Sequence, residues 1–290
     1  MSRPPVLSRG AVDRAAERRI DDAWLALAWS ERGRVLVLDD QLRTAVDREA
    51  GRASLRWVAS ERAMPPDALF LGVDDDAAYF CVTGAAELAG QELAGLREIG
   101  SLLGDRDAGL LVHAVALQAW HERHPRCPRC GAPTELRQGG HVRVCPEDGT
   151  EHYPRTDPAM IVLVTTPDGD KAVLGRAAGW RGRMMSCLAG FVEPGESAEQ
   201  CVVREVREEV GLEVNGVVYS TSQPWPFPSS LMLAFRAVAD EAPLHPDPAE
   251  IAEARWVTRA ELRQGIADGG LMVPPVVSVA RKLIDDWLEV

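Results

Sequence analysis

One helix constrains the fold of this chain more than any other feature, because both of its ends are marked in the sequence. Ser197 followed three residues later by Gln200 has the pattern of a capping box. In this motif the side chain of each residue accepts a hydrogen bond from the backbone amide of the other. Gly211 stands where a helix C-cap glycine belongs. These signals predict a helix over Ala198 to Val210.

Three carboxylates lie on one face of that helix. Glu205, Glu208 and Glu209 stand at i, i+3 and i+4, so they fall within about two turns and repel one another. One explanation is a solvated acidic face balanced by Arg204 and Arg207. The other is a site for divalent cations, because Mg²⁺ and Mn²⁺ prefer oxygen ligands and neutralise such repulsion. The surrounding sequence has to decide between them.

The glutamates belong to a longer motif over residues 190–212. It reads Gly-x5-Glu-x7-Arg-Glu-U-x-Glu-Glu-x-Gly-U, where U is aliphatic, and it resembles the Nudix box of the Nudix hydrolases at every fixed position. The matching residues are Gly190, Glu196, Arg204, Glu205, Val206, Glu208, Glu209, Gly211 and Leu212. The resemblance implies an α/β/α sandwich with a mixed sheet, and hydrolysis of a nucleoside diphosphate linked to another group.

Glu205, Glu208 and Glu209 are the predicted catalytic residues, as ligands of Mg²⁺ or Mn²⁺. The resemblance adds two ligands, the backbone carbonyl of Ala189 and the carboxylate of Glu250. It also implies two residues that support the ligands: Arg204 as an ion pair with the glutamates, and Glu196, which does the same or caps the loop. Which glutamate, if any, is the general base stays open, because a metal-bound hydroxide can serve instead.

A proline-rich segment follows the box, Ser222-Gln223-Pro224-Trp225-Pro226-Phe227-Pro228-Ser229-Ser230. Prolines alternating with aromatics give a stiff, extended stretch that suits a wall against a flat ligand, or else a rigid turn that packs two aromatics into the core. After a Nudix box, the segment resembles the array of the NADH pyrophosphatase subfamily. The resemblance implies NADH or NAD⁺ as substrate, bound by Gln223, Pro224, Trp225, Pro226, Phe227, Pro228, Ser229 and Ser230.

Three further positions match substrate contacts of that subfamily. Tyr153 and Phe191 match aromatics that hold a base, and stacking between rings adds about 0.5–1.5 kcal/mol for each aromatic pair. Ala280 matches another substrate-contact position. Without the resemblance, Phe191 would be read as a core residue.

The segment 123–155 is rich in cysteine, glycine and proline. Cys127 and Cys130 form a CxxC knuckle, and Cys145 stands where a second knuckle should open, but the expected fourth cysteine is Asp148. Three thiolates and one carboxylate or imidazole can hold zinc, so we predict a structural zinc site with Asp148 as an uncertain fourth ligand. The substitutes are His141 and His152, and the alternatives to zinc are loss of the metal or a redox role of the CxxC.

This segment is also locally basic, whereas the chain as a whole carries a formal net charge of −12. Its arginines are Arg123, Arg126, Arg129, Arg137, Arg143 and Arg155. An acidic protein does not coat nucleic acid unspecifically. The basic segment is therefore either a solvated face of a structural zinc ribbon or a platform for the RNA body of an NAD-capped transcript, a substrate that the resemblance also implies.

The six cysteines among 290 residues are too few for a disulfide scaffold and favour the reducing cytoplasm. Cys81, Cys187 and Cys201 fall in apolar surroundings and are read as core thiols. The sequence shows neither a signal peptide nor a run of about 20 apolar residues, so we expect no membrane anchor.

The patterning predicts three parts: an N-terminal α+β domain over 1–122, the zinc-ribbon-like segment over 123–155, and the catalytic domain over 156–290. Strands are expected at 34–38, 68–73, 78–82, 159–165 and 171–175, with a hairpin turn at 166–169. Further helices are expected at 107–124 and 277–288.

The leading prediction is hydrolysis of NADH or NAD⁺ to nicotinamide mononucleotide and AMP. The alternatives are removal of NAD caps from RNA at the same centre, a broader pyrophosphatase acting on ADP linked to other groups, and a catalytically silent binding protein. Relatives dimerise, so a homodimer is expected, and a site completed by an aromatic of the neighbouring chain is consistent with Tyr153 lying outside the catalytic domain.

Overall fold

The computed structural model of the protein describes residues 4–60, 63–180 and 182–289. Their contacts divide them into two compact units. The N-terminal unit comprises 9–156 together with 226–229, and the C-terminal unit comprises 4–8, 157–225 and 230–289, within the described ranges. The division into three parts at 122 and 155 stays a prediction. None of the helices in the described ranges is long and apolar enough to cross a membrane.

The N-terminal unit mixes helices and short strands. Its helices are α1 (Asp22–Arg32), α2 (Leu96–Ile99) and α3 (Asp105–Arg123). Its strands are β1 (Gly33–Leu38), β2 (Arg43–Glu49), β3 (Arg52–Leu55), β4 (Val58–Ala59), β5 (Leu69–Val73), β6 (Ala78–Thr83), β7 (Leu93–Gly95), β8 (Glu135–Arg137), β9 (Val142–Val144) and β10 (Glu151–His152). The predicted α+β character is confirmed, with the expected strands appearing as β1, β5 and β6 and the expected helix as α3.

Two sheets build the core of this unit. One has the order β4-β1-β6-β5, in which β1 and β6 are parallel, and the other has the order β3-β2-β7. Helix α1 covers the first sheet because its apolar residues face the apolar side chains of β1, β5 and β6. The ring of Trp29 meets Phe80 edge-on, with 5.1 Å between centroids, a geometry that aromatic pairs favour.

A small antiparallel sheet of order β10-β9-β8 forms the cysteine-rich segment. The turn before β9 packs directly on β5, because Gly140 has a φ of +86° and a Cβ there would lie 2.4 Å from Leu69 Cδ2. His121 donates from Nε2 to the Gly140 carbonyl at 2.8 Å, and His141 donates from Nε2 to the Phe70 carbonyl at 2.9 Å. Hydrogen bonds from histidine side chains to backbone carbonyls therefore tie this turn to α3 and β5.

The C-terminal unit is built around one mixed sheet. Its strands are β11 (Asp157–Thr165), β12 (Lys171–Ala177), β13 (Leu188–Phe191), β14 (Asn215–Trp225), β15 (Ser230–Val238) and β16 (Ile251–Thr258). Its helices are α4 (Ala198–Val210), α5 (Arg259–Ala267) and α6 (Val279–Leu288). The strand order is β14-β15-β11-β12-β16, with β13 also paired to β11. Strands β11 and β15 are parallel and the other pairs are antiparallel.

Side chains of β11 alternate between two apolar layers. Met160 and Val162 pack with the buried residues of α4, whereas Ile161 and Leu163 pack with those of α5 and α6. The period of two along a strand produces this alternation. The sheet thus lies between helices on both faces, and the predicted α/β/α sandwich is confirmed. The hairpin turn is present too, with the Thr166 amide donating to the Lys171 carbonyl at 3.0 Å.

Candidate active site and metal centres

Helix α4 has the predicted bounds. The Ser197 hydroxyl accepts from the Gln200 amide at 3.2 Å, the Gln200 side chain accepts from the Ser197 amide at 2.9 Å, and Gly211 closes the helix with a φ of +74°. The apolar residues of the helix are buried against the sheet. That packing also carries Glu205 and Glu209 inward, so that only 8% and 5% of their surfaces stay exposed.

Arg204 binds three of the motif glutamates at once. It forms two hydrogen bonds with Glu196, from Nε at 2.8 Å and from Nη2 at 2.9 Å, and its Nη1 lies 2.9 Å from carboxylate oxygens of both Glu205 and Glu208. Nη2 also donates to the carbonyl of Phe191 at 3.0 Å. The hydrogen bonds from Arg204 lower the pKa of Glu196 to about 2. One guanidinium therefore fixes the loop, the start of the helix and two acidic side chains in one arrangement.

Strand β13 approaches the helix at a glycine. A Cβ on Gly190 would lie 2.0 Å from both Cδ and Oε1 of Glu205, so the carboxylate occupies the space that any side chain would need. The preceding residue, Ala189, contributes a backbone hydrogen bond to Glu209, which opposes but does not cancel the rise in the pKa of that carboxyl. The close approach of the Glu205 carboxylate to this backbone therefore explains why the motif has a glycine at position 190.

Burial raises the pKa of Glu209 to about 8, and the charges of Glu205 and Glu250 add to the rise. Burial likewise raises the pKa of Glu205 although Arg204 opposes it, and Glu208 and Glu250 act in the same direction as burial. Glu250 is therefore close enough to both residues for its charge to be felt. The loop that carries it is anchored to the end of α4, because the Asp247 amide donates to the Glu209 carbonyl at 3.1 Å.

The donor set fits a hard divalent cation. Oε2 of Glu209 is buried and has no hydrogen-bond partner among the described residues, which is costly for an isolated carboxylate. A cation would satisfy it. The carboxylate oxygens of the glutamates lie farther apart than the atoms of a closed ligand shell. In the described ranges only one group has three or more donor atoms within 4.8 Å of one another, and that group is the cysteine cluster described below. Glu208 lies at the exposed rim, with 58% of its side chain accessible.

Two of the predicted base-binding aromatics are exposed. Phe191 is 60% exposed in the C-terminal unit, and Tyr153 is 63% exposed in the N-terminal unit, where its hydroxyl donates to Glu151. Reading Phe191 as a core residue is therefore wrong. An exposed ring that is held at its backbone, as Phe191 is by Arg204, offers a face on which a base can stack.

The proline-rich segment is not one extended stretch. Gln223, Pro224 and Trp225 complete β14, and the chain then turns through 226–229, so the segment combines the two alternatives: it is extended in its first part and forms a turn after it. Two of the predicted substrate contacts have buried side chains. Gln223 is 1% exposed and donates its side-chain amide to the Val277 carbonyl at 3.1 Å, and Ala280 is 1% exposed in the apolar core that includes α6. These side chains pack within the C-terminal unit, and their assignment as substrate contacts stays a prediction.

The four predicted zinc ligands come together. Donor atoms of Cys127, Cys130, Cys145 and Asp148 all lie within 4.8 Å of one another, with 3.5 Å between Sγ of Cys130 and Cys145 and 3.8 Å from Sγ of Cys127 to Asp148. Both turns have the knuckle form, since the amides of Gly131 and Gly149 donate to the carbonyls of Cys127 and Cys145, each at 2.9 Å.

The cysteine cluster fits a tetrahedral metal such as zinc. Although burial raises the pKa of Cys127, backbone amides of Cys130 and Arg129 and the side chains of Thr150 and His152 lower it to about 6. A thiolate is the form that binds metal. His141 does not replace Asp148 as the fourth ligand, because its Nε2 donates a hydrogen bond to the Phe70 carbonyl. His152 keeps a buried Nε2 without a partner among the described residues.

One arginine of the basic segment is not on its surface. Arg143 is 7% exposed, and its guanidinium donates to the Thr134 hydroxyl at 2.6 Å, to the Thr134 carbonyl at 2.8 Å and to Nδ1 of His121 at 2.9 Å. Counting Arg143 among residues that could meet RNA is therefore wrong. The exposed members are Arg123, Arg126, Arg129, Arg137 and Arg155.

Sequence reasoning missed Arg97, which lies on α2 in the N-terminal unit. Its guanidinium carbon lies 4.2 Å from the centroid of the Phe227 ring. No local pattern in the sequence links Arg97 to Phe227, because 130 positions separate them.

Three family models match the chain in succession. Residues 28–120 match the NADH pyrophosphatase-like rudimentary NUDIX domain, residues 122–153 match the NADH pyrophosphatase zinc ribbon domain, and residues 155–274 match the NUDIX domain.

Curated proteins are similar over most of this length. The NAD-capped RNA hydrolases NudC of Mycobacterium bovis (strain BCG / Pasteur 1173P2) and Mycobacterium tuberculosis (strain ATCC 25177 / H37Ra) are each 41% identical over 301 residues, covering 98% of this chain and 94% of theirs. The NAD-capped RNA hydrolase NUDT12 of Homo sapiens is 40% identical over 199 residues, covering 65% of this chain and 43% of its own.

Proposed function

This chain belongs to the NADH pyrophosphatase family of Nudix hydrolases, and from that premise we propose that it hydrolyses the pyrophosphate bond of NADH or NAD⁺ to nicotinamide mononucleotide and AMP. The observation that carries the proposal is the buried pair Glu205 and Glu209 beside Glu250, with an unpartnered carboxylate oxygen. Such a donor set is costly to bury alone, and a bound cation would offset that cost.

We assign Glu205, Glu209 and Glu250 as the main cation ligands, with Glu208 at the rim and the Ala189 carbonyl as a further donor. A bound Mg²⁺ or Mn²⁺ would supply Lewis acidity and orient a water molecule toward phosphorus. Arg204 keeps the glutamates in position through the contacts with Glu196, Glu205 and Glu208. The exposed ring of Phe191 offers a stacking face for a base, and Tyr153 is assigned the same role.

The test is product identification. Purified protein is incubated with NADH or NAD⁺ and either Mg²⁺ or Mn²⁺, and the products are separated by liquid chromatography. We expect AMP and the nicotinamide mononucleotide in equal amounts, and a loss of roughly a hundredfold or more in Glu209→Gln, because an amide cannot replace the lost charge. Full turnover by this variant contradicts the assignment of the ligands, and absence of AMP in the wild type contradicts the activity itself.

A second substrate, NAD-capped RNA, is supported by the similarity to NAD-capped RNA hydrolases and by the exposed arginines of the segment 123–155. Rates on free NADH and on an NAD-capped oligonucleotide are compared in the wild type and in the charge reversals Arg126→Glu and Arg137→Glu. If RNA is bound there, only the rate on the oligonucleotide falls, and it falls more at low salt. Equal losses on both substrates contradict an RNA platform.

We further propose a structural zinc ion held by Cys127, Cys130, Cys145 and Asp148, and a homodimer. The convergence of the four donors supports the zinc assignment. All six cysteines are free thiols, which suits the reducing cytoplasm. Metal analysis tests the first proposal and analytical ultracentrifugation tests the second.

A further inference from the structure

Four basic side chains converge beside the edge strand β5 in the N-terminal unit. Arg14 and Arg19 lie in the segment before α1, His113 lies in α3, and His141 lies in the turn before β9. The centroids of the two imidazole rings are 5.2 Å apart. Burial lowers the pKa of both rings, and the charges of Arg14 and Arg19 lower it further. The fold therefore gathers the positive charge of three segments into one place.

The two rings are fixed by carbonyl groups of β5. Nδ1 of His113 donates to the Leu71 carbonyl at 3.2 Å, and Nε2 of His141 donates to the Phe70 carbonyl at 2.9 Å. These hydrogen bonds set the tautomer of each neutral ring, so that Nε2 of His113 and Nδ1 of His141 are left as hydrogen-bond acceptors. The cluster thus offers two acceptors besides the donors of its guanidinium groups.

The two arginines have no acidic partner among the described residues. Arg19 donates from Nη2 to the Arg14 carbonyl at 3.1 Å, whereas its Nε is buried and has no hydrogen-bond partner within the described ranges. The charge of Glu17 acts on Arg19, but the carboxylate of Glu17 lies 3.9 Å from Arg18. A buried donor without a partner is rare and costly. The Nε of Arg19 therefore needs an acceptor that the described chain does not supply.

The cluster becomes more exposed from one side to the other. His113 is 7% exposed, Arg19 and His141 are half-buried, and Arg14 is exposed. An anion can therefore approach from the side of Arg14. Partial burial lowers the effective dielectric constant, so that an anion beside Arg19 is attracted more strongly than it would be on an open surface.

We propose that these four basic side chains form a binding site for a phosphate group, either inorganic phosphate or the phosphate of a small monoester. Its oxygens accept from the guanidinium groups, including the Nε of Arg19. A phosphate monoester has a second pKa of about 6, so near this pH it also carries a proton that it can donate to an imidazole nitrogen. Sulfate has no such proton. The combination of donors and acceptors therefore selects phosphate over sulfate.

This site belongs wholly to the N-terminal unit, which carries none of the glutamate ligands. It does not depend on the proposed hydrolysis, because no residue of the cluster is assigned to that reaction. Its presence would give the N-terminal unit a ligand of its own.

The experiment is a titration of the full chain with inorganic phosphate at pH 6.5, at constant ionic strength and without added Mg²⁺. The ring signals of His113 and His141 are followed by NMR in protein that contains ¹³C-labelled histidine. We expect both signals to shift with a single Kd of about 1 mM or below. Sulfate should bind at least about tenfold more weakly, because the hydrogen bond to the imidazole nitrogen is missing.

Two variants test the donors. Arg19→Gln removes the half-buried guanidinium and Arg14→Gln removes the exposed one, and each should raise the Kd for phosphate at least about tenfold. Arg18→Gln is the matched control, because the Arg18 guanidinium lies over the ring of Trp24 at 5.3 Å from the centroid. Its Kd should stay within about twofold of the wild type, as expected for an exposed charge outside the site. Thermal unfolding shows whether each variant keeps its fold, and Arg14→Gln changes an exposed side chain only.

Three results would each overturn the proposal: ring signals that do not move with phosphate, equal Kd values for phosphate and sulfate, or an equal effect of Arg18→Gln and Arg19→Gln. Ribose 5-phosphate, used as a second ligand, distinguishes the two sources of the phosphate group. A lower Kd than that of inorganic phosphate identifies a monoester as the ligand, and a higher Kd identifies the free ion. Both of these results support the site.

Discussion

The carboxylate of Glu205 fills the space that a side chain at Gly190 would occupy, with a Cβ there only 2.0 Å from the carboxyl carbon. The carboxylate is 10% exposed, and Arg204 holds it at 2.9 Å. It therefore has little room to move aside. The contact makes Gly190, a strand residue without a functional group, a determinant of the proposed metal site.

Gly190→Ala is expected to displace Glu205 and reduce metal-dependent turnover by at least about tenfold, with a loss of about 1–3 kcal/mol in the free energy of unfolding from overpacking. Turnover and urea unfolding measure the two effects. Gly179→Ala is the control, because a Cβ there meets nothing within 4 Å. Equal behaviour of the two variants contradicts the role of the close approach.

Glu209 predicts how the stability of the metal-free protein depends on pH. Its pKa is raised from 4.5 to about 8, so between these values the folded state holds a proton that the unfolded state has released. Its contribution therefore falls as pH rises above 4.5 and is lowest above 8. Glu209→Gln should raise the free energy of unfolding by about 2–4 kcal/mol at pH 8.5 and by less at pH 5.5, as measured by urea unfolding in EDTA.

Adding Mn²⁺ should reverse the direction in which the stability of the folded state changes with pH. Metal binding requires the ionised carboxylate, so it stabilises the folded state increasingly as pH rises. The wild type should then gain stability between pH 6 and 8.5, and Glu209→Gln should gain much less. A wild type that is stabilised by Mn²⁺ no more than the variant would show that Glu209 is not a ligand.

Arg204 should control metal affinity. Arg204→Gln removes the pairs with Glu196, Glu205 and Glu208 and is expected to weaken Mg²⁺ binding by about 10–100-fold, the range found for residues that orient ligands. Activity titrated against Mg²⁺ measures the shift. Arg207→Gln is the control on the same helix, because Arg207 pairs with the exposed Glu213 and its pair contributes at most about 1 kcal/mol.

Asp148 should set how tightly zinc is held. We expect about one zinc ion per chain by elemental analysis. Asp148→Ala should lose zinc to a chelator at concentrations at least about tenfold lower than the wild type requires. The neighbouring exposed Glu147→Ala should behave like the wild type. If both variants retain zinc equally, the fourth ligand is another group, and His152→Ala would then be the variant to compare.

Local signals were sufficient for much of the catalytic unit. The caps at Ser197 and Gly211 are contacts between neighbours in sequence, so they defined α4 at both ends. The alternation along β11 and the turn after it are equally local, and the fold class is confirmed. The spacing of the glutamates was enough to predict that they share one face of the helix. It could not predict how deeply each one is buried, because burial depends on the segments that pack against it.

Contacts between distant segments could not be obtained in that way. Gln223 is polar in sequence yet buried, because its amide meets the Val277 carbonyl, 54 residues away. Arg143 is one arginine among several in a basic segment, and only the tertiary contacts with Thr134 and His121 separate it from its exposed neighbours. Arg97 carries no signal of its own, since its partner ring is supplied by the turn 226–229.

The hydrogen bonds from His121 and His141 have a wider consequence for the cysteine-rich segment. Burial lowers the pKa of both rings to about 4, so each remains a neutral donor to a main-chain carbonyl under ordinary conditions. These hydrogen bonds connect the cysteine-rich segment directly to α3 and β5. Removal of the proposed zinc ion should therefore reduce the protection of backbone amides from hydrogen exchange along β5, at a distance from the ligands themselves.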